Sequence, residues 1–447
     1  MDNSPQATQT GASTTTTAGH NLKKLILPLL IGTLSVLLAV IILVFFNPLK
    51  GLFDEVFVEQ NDEPLGDVGF KLIWRESESS EYREAADTPI KMAEHYFECF
   101  YTALGDKEAD CTQALSNLYA SSCEDLVYDL AALGSCAMRL EGSAIDLGMK
   151  SVNVHLWLKN IVPIGNDGYV ITVKQSAEIV FKTLKGISSG EGIYDHTFVF
   201  EKHSGSWYIT SHECDQGVWG YGTKVMNTLC GSGSPSYDLL REKLKDFKKV
   251  LPSKISAISD LITVKGYGAL PEVQQPYNRE GAMEYAKRWS NAIDEVRNTE
   301  VWNDYEDDSV NFVSQCIFGG IGKMDVEGKN KWKWFDPKID LESSDSGCSN
   351  SWLKAESFWT YCTENDHRGV CCLAGAAGGQ LEKGDVIQLM LNGTAVSQVM
   401  ITDVVTDVHK NTLDFLVTGH DSEYVNFPLS LIPCDSVRFI KVVGWND

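Results

Sequence analysis

The run from Leu25 to Phe46 constrains this chain more than any other stretch. It reads LILPLLIGTLSVLLAVIILVFF, 22 residues without a charge. About 20 apolar residues are needed to span the hydrocarbon core of a bilayer as a helix, so a transmembrane helix is expected here. The competing reading is a cleaved secretory signal. A signal's apolar stretch runs to about 7–15 residues and ends at a small-x-small cleavage site, whereas Asn47-Pro48-Leu49-Lys50 follows this one. Lys23 and Lys24 precede the run, and positive charge marks the cytoplasmic side. The expectation is a single-pass protein of the cell membrane, held through residues 25–46, with its N-terminus cytoplasmic and its larger part extracytoplasmic.

Charge narrows the partners. The 447 residues carry a formal net charge of −23. Asp2, Lys23, Lys24 and Lys50 leave the first 50 residues at +2, so the remainder holds −25. Such a surface repels phosphate backbones, which excludes nucleic acid as a partner. All 12 cysteines follow the apolar run, six between Cys99 and Cys230 and six between Cys316 and Cys434. Even sets outside a membrane predict disulfides closed within each half. No Cys-x-x-Cys pair is followed by a second such pair or a histidine pair, so neither a zinc site nor another cofactor is expected.

Composition and periodicity divide the rest. Residues 1–21 are rich in Ser, Thr, Gly and Gln and read as a disordered cytoplasmic tail. The anchor takes 22–47 and an acidic stalk 48–88. Within 89–230, Met92, Tyr96, Phe97 and Phe100 form a helical stripe after Pro89, and Leu115, Leu118, Leu126 and Leu130 continue it. Alternation then takes over at Val152, Val154, Leu156 and Leu158, and again from Val170 to Leu184. Tyr194–Glu201 and Trp207–Thr210 flank His203-Ser204-Gly205-Ser206, a hairpin signal. Helices followed by an antiparallel meander resemble a cone-shaped α+β fold of the NTF2 type. His196, His203, His212 and Glu213 fall on these strands and read as exposed strand residues rather than a pocket. Residues 231–275 form a linker, opened by Gly231-Ser232-Gly233-Ser234-Pro235, with a charged amphipathic helix from Tyr237 to Val250.

In the last segment, 276–447, a short helix is expected just after Asp308. Val310, Val313 and Ile317 supply its buried stripe, Asp308 stands at the N-cap and Gly319-Gly320 closes it. Its first turn sits in the positive end of the helix dipole, which favours a thiolate or an oxyanion. Ser309 occupies that place, and Cys316 lies two turns further in. Strands rich in β-branched residues follow at Asp385–Leu391, Gln398–Thr406 and Thr412–Thr418.

Five motifs recur here in order. They are the opening Tyr277–Ala286, the Asn-Phe-Val-Ser-Gln of Asn311–Gln315, and Gly319-Gly320 with Trp332, Trp334 and Ser351-Trp352. Gly384–Leu389 follows, then Val399–Thr402 with Gly419-His420-Asp421 and Phe427-Pro428-Leu429. This order resembles the putative amidase domain family, papain-like relatives of the NlpC/P60 and CHAP hydrolases. The resemblance implies a nucleophilic cysteine at the start of the helix, a histidine base opening a strand, and an orienting residue. By that alignment the cysteine's place falls on Ser309, the histidine's on Ser397, and His420 matches a histidine near the third residue. Asp308, Asn311, Gln315 and Trp352 are the pocket candidates.

The departures have a physical consequence. A serine hydroxyl needs a base within hydrogen-bond reach, whereas a cysteine is readily poised as thiolate at a helix N-terminus. Removing such a partner takes away about 10⁴-fold of rate. The expectation is a catalytically degenerate domain that binds a peptide, a cell-wall fragment or a protein. The alternative is an active amidase or peptidase hydrolysing amide bonds, with Cys316 and His420, or Ser309 with His420 and Asp421 or Asp403, as its machinery. The expected fold class is α+β: a transmembrane helix, an NTF2-like domain, then a papain-like (NlpC/P60-type) domain.

Overall fold

Three long strands dominate the first half, and they form where the β-branched and aromatic alternation is longest. The computed structural model describes residues 68–75, 82–266, 268–327, 330–365, 367–407 and 410–447. The tail, the expected anchor at 25–46 and the stalk up to residue 67 lie outside the described residues. Strand β1 (Gly69–Trp74) comes first, then helices α1 (Asp87–Gly105), α2 (Thr112–Asn117) and α3 (Glu124–Gly142). Strands β2 (Met149–Ile164), β3 (Gly168–Phe181), β4 (Ser189–His203) and β5 (Ser206–Glu213) follow as an antiparallel meander. The β4–β5 hairpin turns where the sequence places it, with His203 opposite Ser206 and left-handed backbone at Ser204 (φ 51°) and Gly205 (φ 91°). The apolar stripe of α1 buries Met92, Tyr96, Phe97 and Phe100 against this sheet. Helix α4 (Gly217–Cys230) leads on to α5 (Tyr237–Thr263).

The second half continues with β6 (Gln275–Pro276), α6 (Arg279–Arg288), α7 (Ser309–Ile321), α8 (Asn350–Leu353) and α9 (Ala355–Glu364). Strands β7 (Gly369–Ala374), β8 (Val386–Leu391), β9 (Thr394–Asp407), β10 (Thr412–Gly419), β11 (Tyr424–Pro428) and β12 (Ser436–Asn446) complete it. Helix α7 ends one residue after the expected glycine pair. Gly322 caps it in the left-handed conformation at φ 74°, and Gly319-Gly320 instead let the helix approach its neighbours. A Cβ on Gly320 would lie 2.3 Å from the Tyr277 ring.

The expected fold class is corrected here. Instead of two α+β domains in succession behind a transmembrane helix, the described residues form a mixed α/β unit on one 12-stranded sheet, in the order β1-β2-β3-β4-β11-β10-β9-β8-β12-β6, with β5 on β4 and β7 on β12. Among the described residues no helix is long and apolar enough to cross a membrane. The join is β4 against β11, where Val425 pairs with Gly190, the Gly192 N–H donates to the Ser422 carbonyl at 3.0 Å, and Ser189 Oγ donates to the Asn426 carbonyl at 2.7 Å. Each strand edge would otherwise present unpaired backbone groups, and this short contact covers part of both. One apolar core runs beneath the join, from Phe97 and Phe198 to Phe415 and Phe427. The segment expected as a linker helps to tie the halves together. Ile258 and Ile262 of α5 enter that core, and its Lys254 bonds Asp435 at 2.6 Å.

The expected disulfides are absent as well. All 12 cysteines are free thiols, most of them buried. In both halves they fill space in an apolar core that is already large, which removes the need for cross-links.

Candidate functional site

The start of α7 is built from backbone donors and carboxylates. The N–H groups of Asp308 and Ser309 have no partner within the helix, and the Asp421 carboxylate takes both, at 2.6 and 3.0 Å. Asp421 holds this position from the loop between β10 and β11, with φ at 75°. Ser309 is fully buried. Its hydroxyl accepts the backbone N–H of Gln398, on β9, at 3.4 Å. Ser397, the neighbouring residue, is half-buried on the same strand and sits across from Leu389.

His420 faces away from this chemistry. Its Nε2 lies 2.8 Å from the Trp289 carbonyl, and its Nδ1 lies 2.5 Å from Asp308 Oδ2. A carbonyl only accepts, so Nε2 donates, and the other nitrogen faces a carboxylate. Both nitrogens are thereby engaged, and the ring stacks on Phe312 with centroids 3.8 Å apart. Asp308 also accepts from Asn311 Nδ2, at 2.7 Å. Arg297 closes the cluster. Its guanidinium bonds Glu423 at 2.5 and 3.2 Å, and its Nε stands 3.6 Å from Asp308 Oδ2. Burial and the adjacent Asp421 push the Asp307 carboxyl up to about 6, and burial also raises Glu423 against the pull of Arg297.

Asn311, Gln315, Cys316 and Trp352 belong to the packed interior. Asn311 Oδ1 accepts the Trp352 indole N–H at 2.9 Å, and Trp352 packs against Trp332 with centroids 4.5 Å apart. Gln315 accepts from the Tyr285 hydroxyl at 2.7 Å. Cys316 is wholly enclosed, and burial pushes its thiol well above the ordinary range, away from the thiolate a nucleophile needs. Trp359 is half-buried under the Arg438 guanidinium, 4.5 Å from its ring. His367 lines an open surface cleft with Glu272, Gln274, Arg368 and Asp447. Among the described residues there is no cluster of metal-ligating side chains.

The structure therefore brings Asp308, Ser309, His420 and the Ser397-Gln398 strand to one helix end. Two features of that end were not foreseen from the sequence. They are Asp421 as the internal anion and the Arg297–Glu423 pair that braces its loop. Gly419-His420-Asp421 drew attention as a motif, but spacing alone does not say that its carboxylate folds back over a helix more than 100 residues earlier.

The helix end thus sets a histidine–aspartate pair beside a strand of the antiparallel sheet, a layout consistent with an amidase-like fold. Comparison agrees: residues 276–443 match the family model described as "Putative amidase domain". No curated protein matches the chain, and no solved structure matches it.

Proposed function

We propose that this chain is a catalytically silent amidase-domain protein, one that holds a peptide, a cell-wall fragment or another protein rather than hydrolysing it. The observation that carries the reading is the enclosure of Ser309. Its hydroxyl meets a backbone amide instead of a base, and the helix dipole that would stabilise an oxyanion is already neutralised by Asp421. Serine attack on an amide requires proton removal as the bond forms, and the nearby imidazole has both nitrogens committed elsewhere. A setting at the cell membrane, held through residues 25–46, belongs to the same proposal and rests on their uncharged run.

The test is turnover of peptidoglycan fragments and of peptide anilides by the purified protein, beside Ser309→Ala. Equal, background rates are expected, together with saturable binding of at least one of these ligands by calorimetry. Turnover that disappears in Ser309→Ala would establish the active amidase instead. Fractionation of cells expressing the chain with and without residues 25–46 tests the membrane setting.

A further inference from the structure

The connection from α6 to α7 is long and irregular. Residues 289–308 carry no helix or strand, and structureless connections longer than about 12–15 residues are typically lids or binding loops. The later part is anchored. Trp302 is buried and stacks on Trp352 with centroids 5.2 Å apart, and Arg297 bonds Glu423. The first part, Trp289–Val296, is held differently, because only Ala292 is buried there. A segment with so little apolar burial opens at low cost compared with the core.

The contacts of this flap are few and chemically distinct. The Trp289 carbonyl accepts the His420 Nε2–H at 2.8 Å. Ala292 rests on β4 at Gly190, so closely that a Cβ added to the glycine would lie 2.2 Å from the alanine Cβ. Glu295 reaches Lys174 of β3 at 3.1 Å. Asn291 Oδ1 turns the chain between these points by accepting the backbone N–H groups of Ile293 and Asp294, at 2.8 and 3.4 Å. The flap thus runs from the imidazole beside the α7 end, over Gly190, to the sheet of the first half. A separate peptide could make each of these contacts. Any residue offers the carbonyl that His420 takes, Gly190 admits only a small side chain, and Lys174 calls for a carboxylate three residues later.

Resting on the ligand-holding role proposed for the α7 end, we infer that Trp289–Val296 is an autoinhibitory flap that occupies, in cis, the place of a peptide ligand. The ligand it stands in for carries a small residue with an acidic residue three places after it. A tethered occupant competes at an effective concentration in the millimolar range. The closed chain therefore binds a free peptide weakly, and opening raises the affinity in proportion to the open population.

The experiment uses the full chain and a fluorescein-labelled peptide copying residues 289–296, read by fluorescence polarisation. Ala292→Asp sets a charge against Gly190 and should open the flap, which hydrogen exchange over residues 289–296 reads directly. Peptide affinity should then rise about tenfold or more over the wild type. The same peptide carrying Glu295→Lys should bind the opened chain several-fold more weakly, and adding Lys174→Glu to the chain should reverse that preference. Glu295→Lys in the chain loosens the flap through its other contact, and combining it with Lys174→Glu should close the flap again. Unchanged exchange in both Ala292→Asp and Glu295→Lys would overturn the inference. So would faster exchange without a gain in peptide affinity, or a peptide preference indifferent to Lys174→Glu. Hydrolysis of the bound peptide by an opened chain would support the flap and overturn instead the silence proposed above.

Discussion

Asp421 takes the backbone N–H of Ser309 at 3.0 Å, so the residue in the nucleophile's place is capped by a carboxylate of its own chain. The same carboxylate takes the Asp308 N–H, which makes it an N-cap supplied from a loop rather than from the residue before the helix. Loss of such a cap costs about 0.5–2 kcal/mol. Asp421→Ala should lower unfolding stability by an amount in that range, read by urea denaturation. The chemistry is testable in parallel. A cysteine placed by Ser309→Cys should resist iodoacetamide in the folded chain, because its thiolate would lie enclosed beside an anion. Combining it with Asp421→Asn should speed alkylation, followed by mass spectrometry. Equal alkylation rates in the single and double variants would show that Asp421 exerts no control there.

Arg297 should matter more than any single carboxylate around it. Its side chain is largely buried and faces Glu423, which is nearly inaccessible, as well as the buried Asp308. Removing one partner of a buried pair leaves an uncompensated charge and costs about 3–5 kcal/mol. Arg297→Ala is therefore expected to destabilise strongly, with the midpoint of urea unfolding as the readout. Arg297→Ala combined with Glu423→Ala should cost less than the two single changes added together, since the double change also removes the orphaned charge.

How far the sequence carries is clearest at α7 and at the β4–β11 join. The α7 stripe of Val310, Val313 and Ile317 is a local pattern of period near 3.6, and the helix forms where that pattern lies. The β4–β5 turn is local too, since Ser204-Gly205 takes the left-handed backbone such hairpins require. The join of the halves is not local. Gly190 meets Val425 across more than 200 residues, and an alternating strand pattern does not say which edge will be its neighbour. His196 and His212 illustrate the same limit. As isolated strand residues they read as exposed, yet α1, α3 and α4 close over them, and the hydrogen-bond chain from His196 through His212 to Asp129 crosses three elements. The silence expected at Ser309 rested on two missing residue types. The carboxylate that fills the helix end could not be read from them.

Asp414 sets a pH dependence. It is fully buried on β10, where it accepts from the Ser430 hydroxyl at 2.6 Å and the Phe415 N–H at 2.8 Å. Burial outweighs those bonds and pushes its carboxyl up to about 6. A group whose pKa is higher in the folded state favours folding when protonated, so its contribution is present at low pH and is lost as pH rises through about 6. Relative to Asp414→Asn, the wild type should therefore gain roughly 1 kcal/mol of stability between pH 7 and pH 5. Urea unfolding of both proteins at the two pH values measures it, and a parallel response would remove Asp414 as the cause.

The thiols give a count that separates this fold from a cross-linked one. All 12 cysteines are free. Even the close pair, Cys362 of α9 and Cys372 of β7, is a hydrogen-bonded pair of thiols, and that contact with burial holds Cys372 well above the ordinary range. Such thiols are poor nucleophiles toward disulfides while folded, because exchange proceeds through the thiolate. The folded protein should thus react slowly and incompletely with Ellman's reagent, whereas the unfolded chain, never exposed to reductant, should release the equivalent of 12 thiols. Each disulfide would lower that number by two, and a shortfall confined to one peptide after tryptic mapping would identify the bridge. Cys316→Ala, which empties a fully buried position, should lower stability without altering any amide turnover, because its thiol sits in the core rather than at the helix end.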